Sequence, residues 1–474
     1  MSTSHILAIP YPAQGHVMPM MELAQKIAKQ GLKVTFVNTD FVHNQVTNAL
    51  SKNDDFGDGI YLVTIPDGLE SWEDRKDLAK LTTAMHGVMP GKLKELIMNI
   101  NGAEDDDKIT CVIADVNVGW ALEIADKLNI MPVAFWPAAA AQLAVLFSLP
   151  KLIENGIVQN DGNITEKQII HLSPTMAPMS TETFTWACFS DLATGKICFE
   201  IWLTGNRYMN LAKWILCNSA YELESAAFTS FPEMLPIGPL SASNKLGDKQ
   251  GSFWTEDSAC LSWLDQQPAS SVIYIAHGSF TIFDQIQFQE LALGLELTNR
   301  PFLWVVRPDM TDETLDIYPK GFKERIGSRG KFVSWAPQVK VLRHPSVACF
   351  LSHCGWNSTI EGVSNGMPFL CWPYFADQLF NQTYICDVWK VGLRCDKNEN
   401  GIITKCEIEN KLEQLLGDNN FKATAMNLKE KVANSVSSDG CSAKNLINFI
   451  KSFVKSCQQP CNFSVTFEEK GPFP

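Results

Sequence analysis

The chain has 474 residues, 46% of them hydrophobic and 19% charged, with a formal net charge of −13. The hydrophobic fraction excludes extensive disorder, and the length allows two to four domains. The acidic balance argues against a nucleic-acid binder, which ordinarily carries a basic face, but it names no partner, because surplus carboxylates also keep proteins soluble.

The N-terminus enters a short apolar run that ends at Pro10, without the basic and long apolar regions of a secretory signal. Residues 6–9 read as a strand. Residues 17–30 follow with apolar positions at helical spacing, closed by Gly31. Residues 33–38 (KVTFVN) and 61–65 read as strands, 78–100 as a helix broken at Pro90, 110–114 as a strand and 118–128 as a helix. Residues 128–150 carry no charge and are long enough to cross a bilayer. Pro132 and Pro137, with Asn129, Gln142 and Ser148, favour a strand over 132–136, a turn and a buried Ala-rich helix instead.

The second half repeats the rhythm. Residues 272–276 and 302–306 read as strands with a helix over 283–297 between them. Further strands are expected at 332–335, 348–352 and 368–372, and helices from 404 to about 455. This alternation implies βαβ units and parallel sheets. The polar, Gly/Ser-rich stretch 241–252 reads as a linker, dividing the chain into α/β domains over 1–240 and 253–457. Residues 458–474 hold three prolines and read as a loose tail. The 14 cysteines contain no C-x-x-C and several sit in apolar runs, among them Cys111, Cys349 and Cys371. They read as reduced thiols in a cytoplasmic protein. The sequons at Asn163, Asn357, Asn381 and Asn462 read as chance matches.

In open parallel sheets ligands bind beyond the carboxyl ends of strands, so the loops after strands in both halves should face one cleft. Neither G-x-G-x-x-G nor a P-loop is present. The segment SHCGWNSTIEG (352–362) follows an expected strand. Gly355 permits a tight turn there, and a helix beginning at Asn357 or Ser358 would offer free amides to a phosphate. His353 would add a donor or a positive charge. Ser358-x-x-Glu361 is equally a capping box, so capping and ligand binding both stand open.

His16 and Asp115 each follow an apolar run. A neutral imidazole suits removal of a hydroxyl proton, and a carboxylate on its other nitrogen fixes the tautomer and stabilises the charge that develops. Taken singly, His16 could be a loop or capping histidine, and Asp115 a helix cap. Asp105-Asp106-Asp107 reads as an exposed acidic turn, and no cluster has convincing metal spacing.

The 44-residue stretch from Trp335-Ala-Pro-Gln to Asp377-Gln378 resembles, without a gap, the signature box of plant family 1 UDP-dependent glycosyltransferases. The matching residues are Trp335, Gln338, His353, Gly355, Trp356, Asn357, Ser358, Glu361, Pro373, Asp377 and Gln378. The resemblance extends from YPAQGH near the N-terminus to the helical C-terminus. It implies the GT-B architecture, two Rossmann-like domains facing a central cleft. It also implies roles. Trp335 would stack on uracil and Ala336 would meet the base edge. Gln338 and Glu361 would bind the ribose, and His353, Asn357, Ser358 and Ser279 the diphosphate. Asp377 and Gln378 would bind the sugar, with Trp356 closing over it through its backbone.

Gln378 points to UDP-glucose as co-substrate. His16 would be the base and Asp115 its partner, in an inverting displacement with no cofactor or metal. Gln14 and Asn117 would lie near a small lipophilic acceptor of phenolic or flavonoid type, among loops within 66–90 and 137–205. His277 departs from the aromatic residue common at its position and is expected to pack beneath the donor site. No nucleic-acid partner and no transmembrane span are expected, and a monomer suffices. The alternatives are a non-catalytic small-molecule binder on the same fold, or another Rossmann-type enzyme such as an oxidoreductase.

Overall fold

The computed structural model describes residues 4–49, 56–103, 107–189, 191–243, 253–310 and 317–458. The expected linker lies outside these residues except for 241–243, which form a 3-10 turn, and so does the expected tail from 459 onward. Asp105 and Asp106 of the acidic turn are also outside them.

The N-terminal half forms a seven-stranded sheet. Its strands are β1 (His5–Ile9), β2 (Lys33–Thr39), β3 (Ile60–Ile65), β4 (Ile109–Asp115), β5 (Met131–Trp136), β8 (Trp214–Cys217) and β9 (Met234–Pro236). A small antiparallel pair, β6 (Ile169–Ile170) and β7 (Met179–Ser180), sits apart from it. The large sheet has the order β3-β2-β1-β4-β5-β8-β9 and is parallel throughout.

The C-terminal half forms a six-stranded parallel sheet from β10 (Val272–Ala276), β11 (Phe302–Val305), β12 (Gly330–Val333), β13 (Val347–Ser352), β14 (Phe369–Cys371) and β15 (Gly392–Arg394). Its order, β12-β11-β10-β13-β14-β15, repeats the winding of the first sheet. Each order reverses direction once, beside β1 and β4 in one half and beside β10 and β13 in the other. At such a switch point neighbouring loops diverge and leave a crevice.

The central strands are buried along almost their whole length because helices cover both faces. β1 and β10 are buried at every position, and β4 at all but Thr110. The predicted helix over 78–100 is continuous from Leu78 to Gly102, and Pro90 does not break it. Pro90 forfeits one backbone hydrogen bond. Leu81, Met85, Met89, Leu93 and Ile97 nevertheless form a buried stripe along one face, and their burial outweighs the loss. The charge-free stretch resolves into β5 and the helix Ala140–Glu154. Among the described residues no helix is long and apolar enough to cross a membrane.

One boundary is corrected. Residues up to 457 were expected to belong to the second domain, yet the last helix, Cys441–Gln458, packs on the first. Leu446, Phe449, Ile450 and Phe453 join the apolar cluster of Ile6, Val34, Phe36 and Leu216, and Phe449 meets Trp214 edge-on at 5.8 Å. The apolar stripe of this helix thus finds its cover on the opposite half of the molecule. Across the interface the indole of Trp356 donates to the Asn218 carbonyl and that of Trp389 to the Leu223 carbonyl, both at 2.9 Å. Each ring buries its apolar body between the halves while its single polar atom is paired.

Candidate active site

The two switch points face one cavity of about 470 Å³. Its walls include Gln14, His16 and Asn117 from the first half. From the second they include Ser279, Trp335, Ala336, Gln338, His353, Gly355, Trp356, Asn357, Ser358, Glu361, Asp377 and Gln378. Asp115 alone among the expected site residues is not on the wall. It is fully buried behind His16.

Asp115 ends β4, and His16 stands in the first turn of the helix Gln14–Ala28, which begins three residues before the expected start at 17. His16 Nδ1 donates to Asp115 Oδ2 at 2.7 Å. The other carboxylate oxygen accepts the Asn117 amide at 2.9 Å, so Asp115 caps the following turn and orients the imidazole at once. With Nδ1 donating, Nε2 keeps its lone pair. Burial alone would lower the His16 pKa. The Asp115 charge and hydrogen bond, with Asp377 across the cleft, outweigh it and raise the pKa above the usual value.

The helix Trp356–Ser364 begins one residue before the expected start, and Gly355, its N-cap, makes no side-chain cap. Of the two readings left open by the sequence, the structure does not show the capping box. Ser358 and Glu361 turn instead to Gln338, whose Nε2 donates to Ser358 Oγ and to Glu361 Oε2, both at 2.8 Å. Tyr274 holds the other end of that amide, donating to Gln338 Oε1 at 3.0 Å. Burial raises the Glu361 carboxyl to about 7, against the Gln338 hydrogen bond. With no side-chain cap, the first amides of this helix stay available to an anion.

The tight turn ahead of the helix also differs from expectation. Cys354 takes the left-handed conformation (φ 65°), while Gly355 has an ordinary φ of −59°. Gly355 is needed for space: a Cβ there would stand 2.4 Å from His353 Nε2, and one on Gly278 would stand 2.5 Å from the same atom. His353 is thus wedged between two glycines. Burial lowers its pKa to about 4, which favours the neutral donor over the positive charge, the two roles the sequence left open.

Asp377 accepts from Asn381 Nδ2 at 2.8 Å, and burial raises its pKa. Gln378 Oε1 accepts the amides of Tyr374 and Phe375 at 2.7 and 3.1 Å. His277 packs edge-on against Phe283 and Trp372, with ring centroids 4.7 and 5.9 Å away, and burial drives its pKa well below the usual value.

Sequence reasoning missed three wall-building features. Trp254 lies 5.9 Å from Trp335 and nearly parallel to it, so the expected base platform is a pair of indoles. Arg307, 1% exposed, donates to the carbonyls of Gly278 and Thr281 and fixes the loop bearing Ser279. Asp309 pairs with Arg307 at 2.9 Å and with Lys76 of the other half at 2.8 Å. Arg307 carried a signal, a cation directly after an apolar strand. Lys76 and Asp309 are 233 positions apart by numbering, and nothing local marks them as partners.

Comparison with known proteins identifies the family and the fold. Residues 255–433 match the family described as UDP-glucoronosyl and UDP-glucosyl transferase. The chain is 44% identical over 467 residues to UDP-glycosyltransferase 83A1 of Arabidopsis thaliana, covering 96% of this chain and 98% of that one. It is 33% identical to linamarin synthase 1 of Manihot esculenta, covering 95% and 97%. Among solved structures it resembles Phytolacca americana UGT2 complexed with UDP-2-fluoro-glucose and pterostilbene (TM-score 0.77, 26% identity, 95% and 99% covered). It also resembles a Polygonum tinctorium UDP-glucosyltransferase capable of glucosylating indoxyl (TM-score 0.80, 26% identity, 95% and 99% covered).

Proposed function

The chain belongs to the plant family 1 UDP-dependent glycosyltransferases, and we propose that it moves glucose from UDP-glucose to a hydroxyl of a small lipophilic acceptor of phenolic type. The observation that carries the mechanism is the His16–Asp115 pair, 2.7 Å apart, with the imidazole lining the same cavity as residues of the stretch Trp335–Gln378. His16 Nε2 takes the acceptor hydroxyl proton as that oxygen attacks C1 of the sugar. The imidazolium that forms is stabilised by Asp115. The bond between C1 and the diphosphate oxygen breaks on the opposite face, so an α-linked donor gives a β-glucoside and UDP leaves.

Charge grows on the departing diphosphate. The uncapped amides of the helix Trp356–Ser364, the His353 imidazole, Ser279, Asn357 and Ser358 are fixed donors for it, so the mechanism calls on no metal ion. Trp335 and Ala336 take the base, Gln338 and Glu361 the ribose, and Asp377 and Gln378 the glucose hydroxyls. With its Oε1 held by two backbone amides, Gln378 turns its NH₂ to the sugar. Pterostilbene, a phenol with which Phytolacca UGT2 is complexed, supports a phenolic substrate here. The cysteine content supports a cytoplasmic location.

The test is incubation with UDP-glucose and a panel of phenols, reading glucoside and UDP by chromatography. Glucoside well above a His16→Ala control is expected. A broad panel that gives none above that control would overturn the proposal.

A further inference from the structure

Leu78, Trp136, Ile197, Cys198, Ile201 and Trp202 give the first-half wall of the cavity a largely apolar stretch, and no lysine, arginine, aspartate or glutamate is among its described residues. Away from His16 a carboxylate placed there would meet no cation, and burying an unpaired charge is costly. The wall carries one amide with an unanswered donor. Gln142 is 1% exposed, and its Nε2 has no hydrogen-bond partner among the described residues. Its Oε1 is already engaged, accepting from the Thr185 hydroxyl at 3.2 Å.

Gln14 Oε1 and the Ser241 hydroxyl on this wall also lack a partner among the described residues, while other polar groups are paired. The Trp136 indole donates to the Ala139 carbonyl at 2.7 Å, the Tyr11 hydroxyl pairs with Thr82 at 3.2 Å, and the Thr194 hydroxyl donates to Asp191 at 2.6 Å. Nor is the amide loosely held. Gln142 stands in the first turn of the helix Ala140–Glu154, whose Ala140 and Ala141 amides are capped by the buried Glu224 carboxylate at 2.8 and 2.9 Å. A buried amide with one end anchored and the other unpaired costs stability unless a ligand answers it.

We propose that Gln142 reads the acceptor: the enzyme selects an uncharged aromatic hydroxyl compound carrying a second, hydrogen-bond-accepting oxygen, such as a ketone, which receives the Gln142 amide while His16 faces the reacting hydroxyl. This rests on the glucosyl-transfer reading and goes beyond it by fixing a second point of recognition.

The experiment compares 4-hydroxybenzophenone with 4-benzylphenol, which share shape and a hydroxyl and differ by carbonyl against methylene. Their different phenol acidities affect both proteins alike, so the quantity read is the ketone-to-methylene ratio of kcat/KM in wild type against Gln142→Leu. The ratio should fall about tenfold in the variant, the worth of one hydrogen bond to a buried amide. Gln142→Met, closer in length, supplies the measurement if Gln142→Leu does not fold, and calorimetric UDP binding reports folding in either. An unchanged ratio with glucoside formed overturns the role of Gln142 and leaves glucosyl transfer standing. Absence of any glucoside from both compounds and from the wider phenol panel overturns the transfer reading, and this inference with it.

Discussion

Asp115 uses both carboxylate oxygens, one on the His16 imidazole and one on the Asn117 amide. The histidine is therefore aimed by a residue that the backbone itself holds in place. Asp115→Asn should remove the charge and weaken the hydrogen bond that raise the His16 pKa, leaving burial to lower it. As the proposed base His16 would act only when neutral, so in the wild type activity should decline as pH falls through a raised pKa. In Asp115→Asn the acid limb of kcat/KM should move to lower pH, while the plateau drops about 10²- to 10⁴-fold. A pH profile from 5 to 9 reads both effects, and a limb that stays in place would remove Asp115 from the titration. His16 and Asp115 stand out in the sequence because each follows an apolar run and is of a type that suits proton transfer. Their 2.7 Å contact does not, since it depends on β1 and β4 being neighbours across 99 residues of chain.

At the scale of one element, the helix Gln14–Ala28 contains Pro19. Proline has no N–H, so the carbonyl four residues earlier, Gly15, is left without its helical donor. That carbonyl accepts the side-chain amide of Asn357 across the cleft at 3.0 Å. The helix that bears the base is thus tied to the helix whose N-terminus faces the proposed diphosphate site. Pro19→Ala restores a competing N–H to Gly15. The expected outcome is a several-fold rise in KM for UDP-glucose with kcat changed less, read by initial rates at saturating acceptor. Equal KM values would mean that the tie does not order Asn357. The helix Trp356–Ser364 makes the complementary point. Its sequence spells a capping box, yet Ser358 and Glu361 bond to Gln338 from another segment. Local pattern set where a helix would form, and a tertiary partner took its capping side chains.

In the whole molecule, the final helix crosses from the second half to the first and clasps it. Phe449 and Phe453 are fully buried there. Phe449→Ala should cost about 3–5 kcal/mol of first-half stability, through lost burial and the cavity left against Trp214. Urea unfolding followed by tryptophan fluorescence checks this, and an unmoved midpoint would show that the clasp carries no stability. The expected domain limit at 457 failed for a related reason. An amphipathic helix states that one face must be covered, and its sequence does not say by which half of the chain.

The sequence by itself determined much of the strand and helix rhythm, the parallel winding that follows from it, and the family resemblance carried by the stretch Trp335–Gln378, because these depend on residues close together in the chain. Strand alternation, helix spacing and a gapless run of matched residues are local quantities. Only the tertiary structure decided the rest. It set Asp115 against His16, placed Asn357 on the carbonyl that Pro19 frees, joined Lys76 through Asp309 to Arg307, and left one end of Gln142 unpaired in the cavity wall. Each of these joins groups brought together by the order of strands and the closing of two halves. Hydrogen bonds and burial act over a few ångströms of space, however far apart their partners lie along the chain.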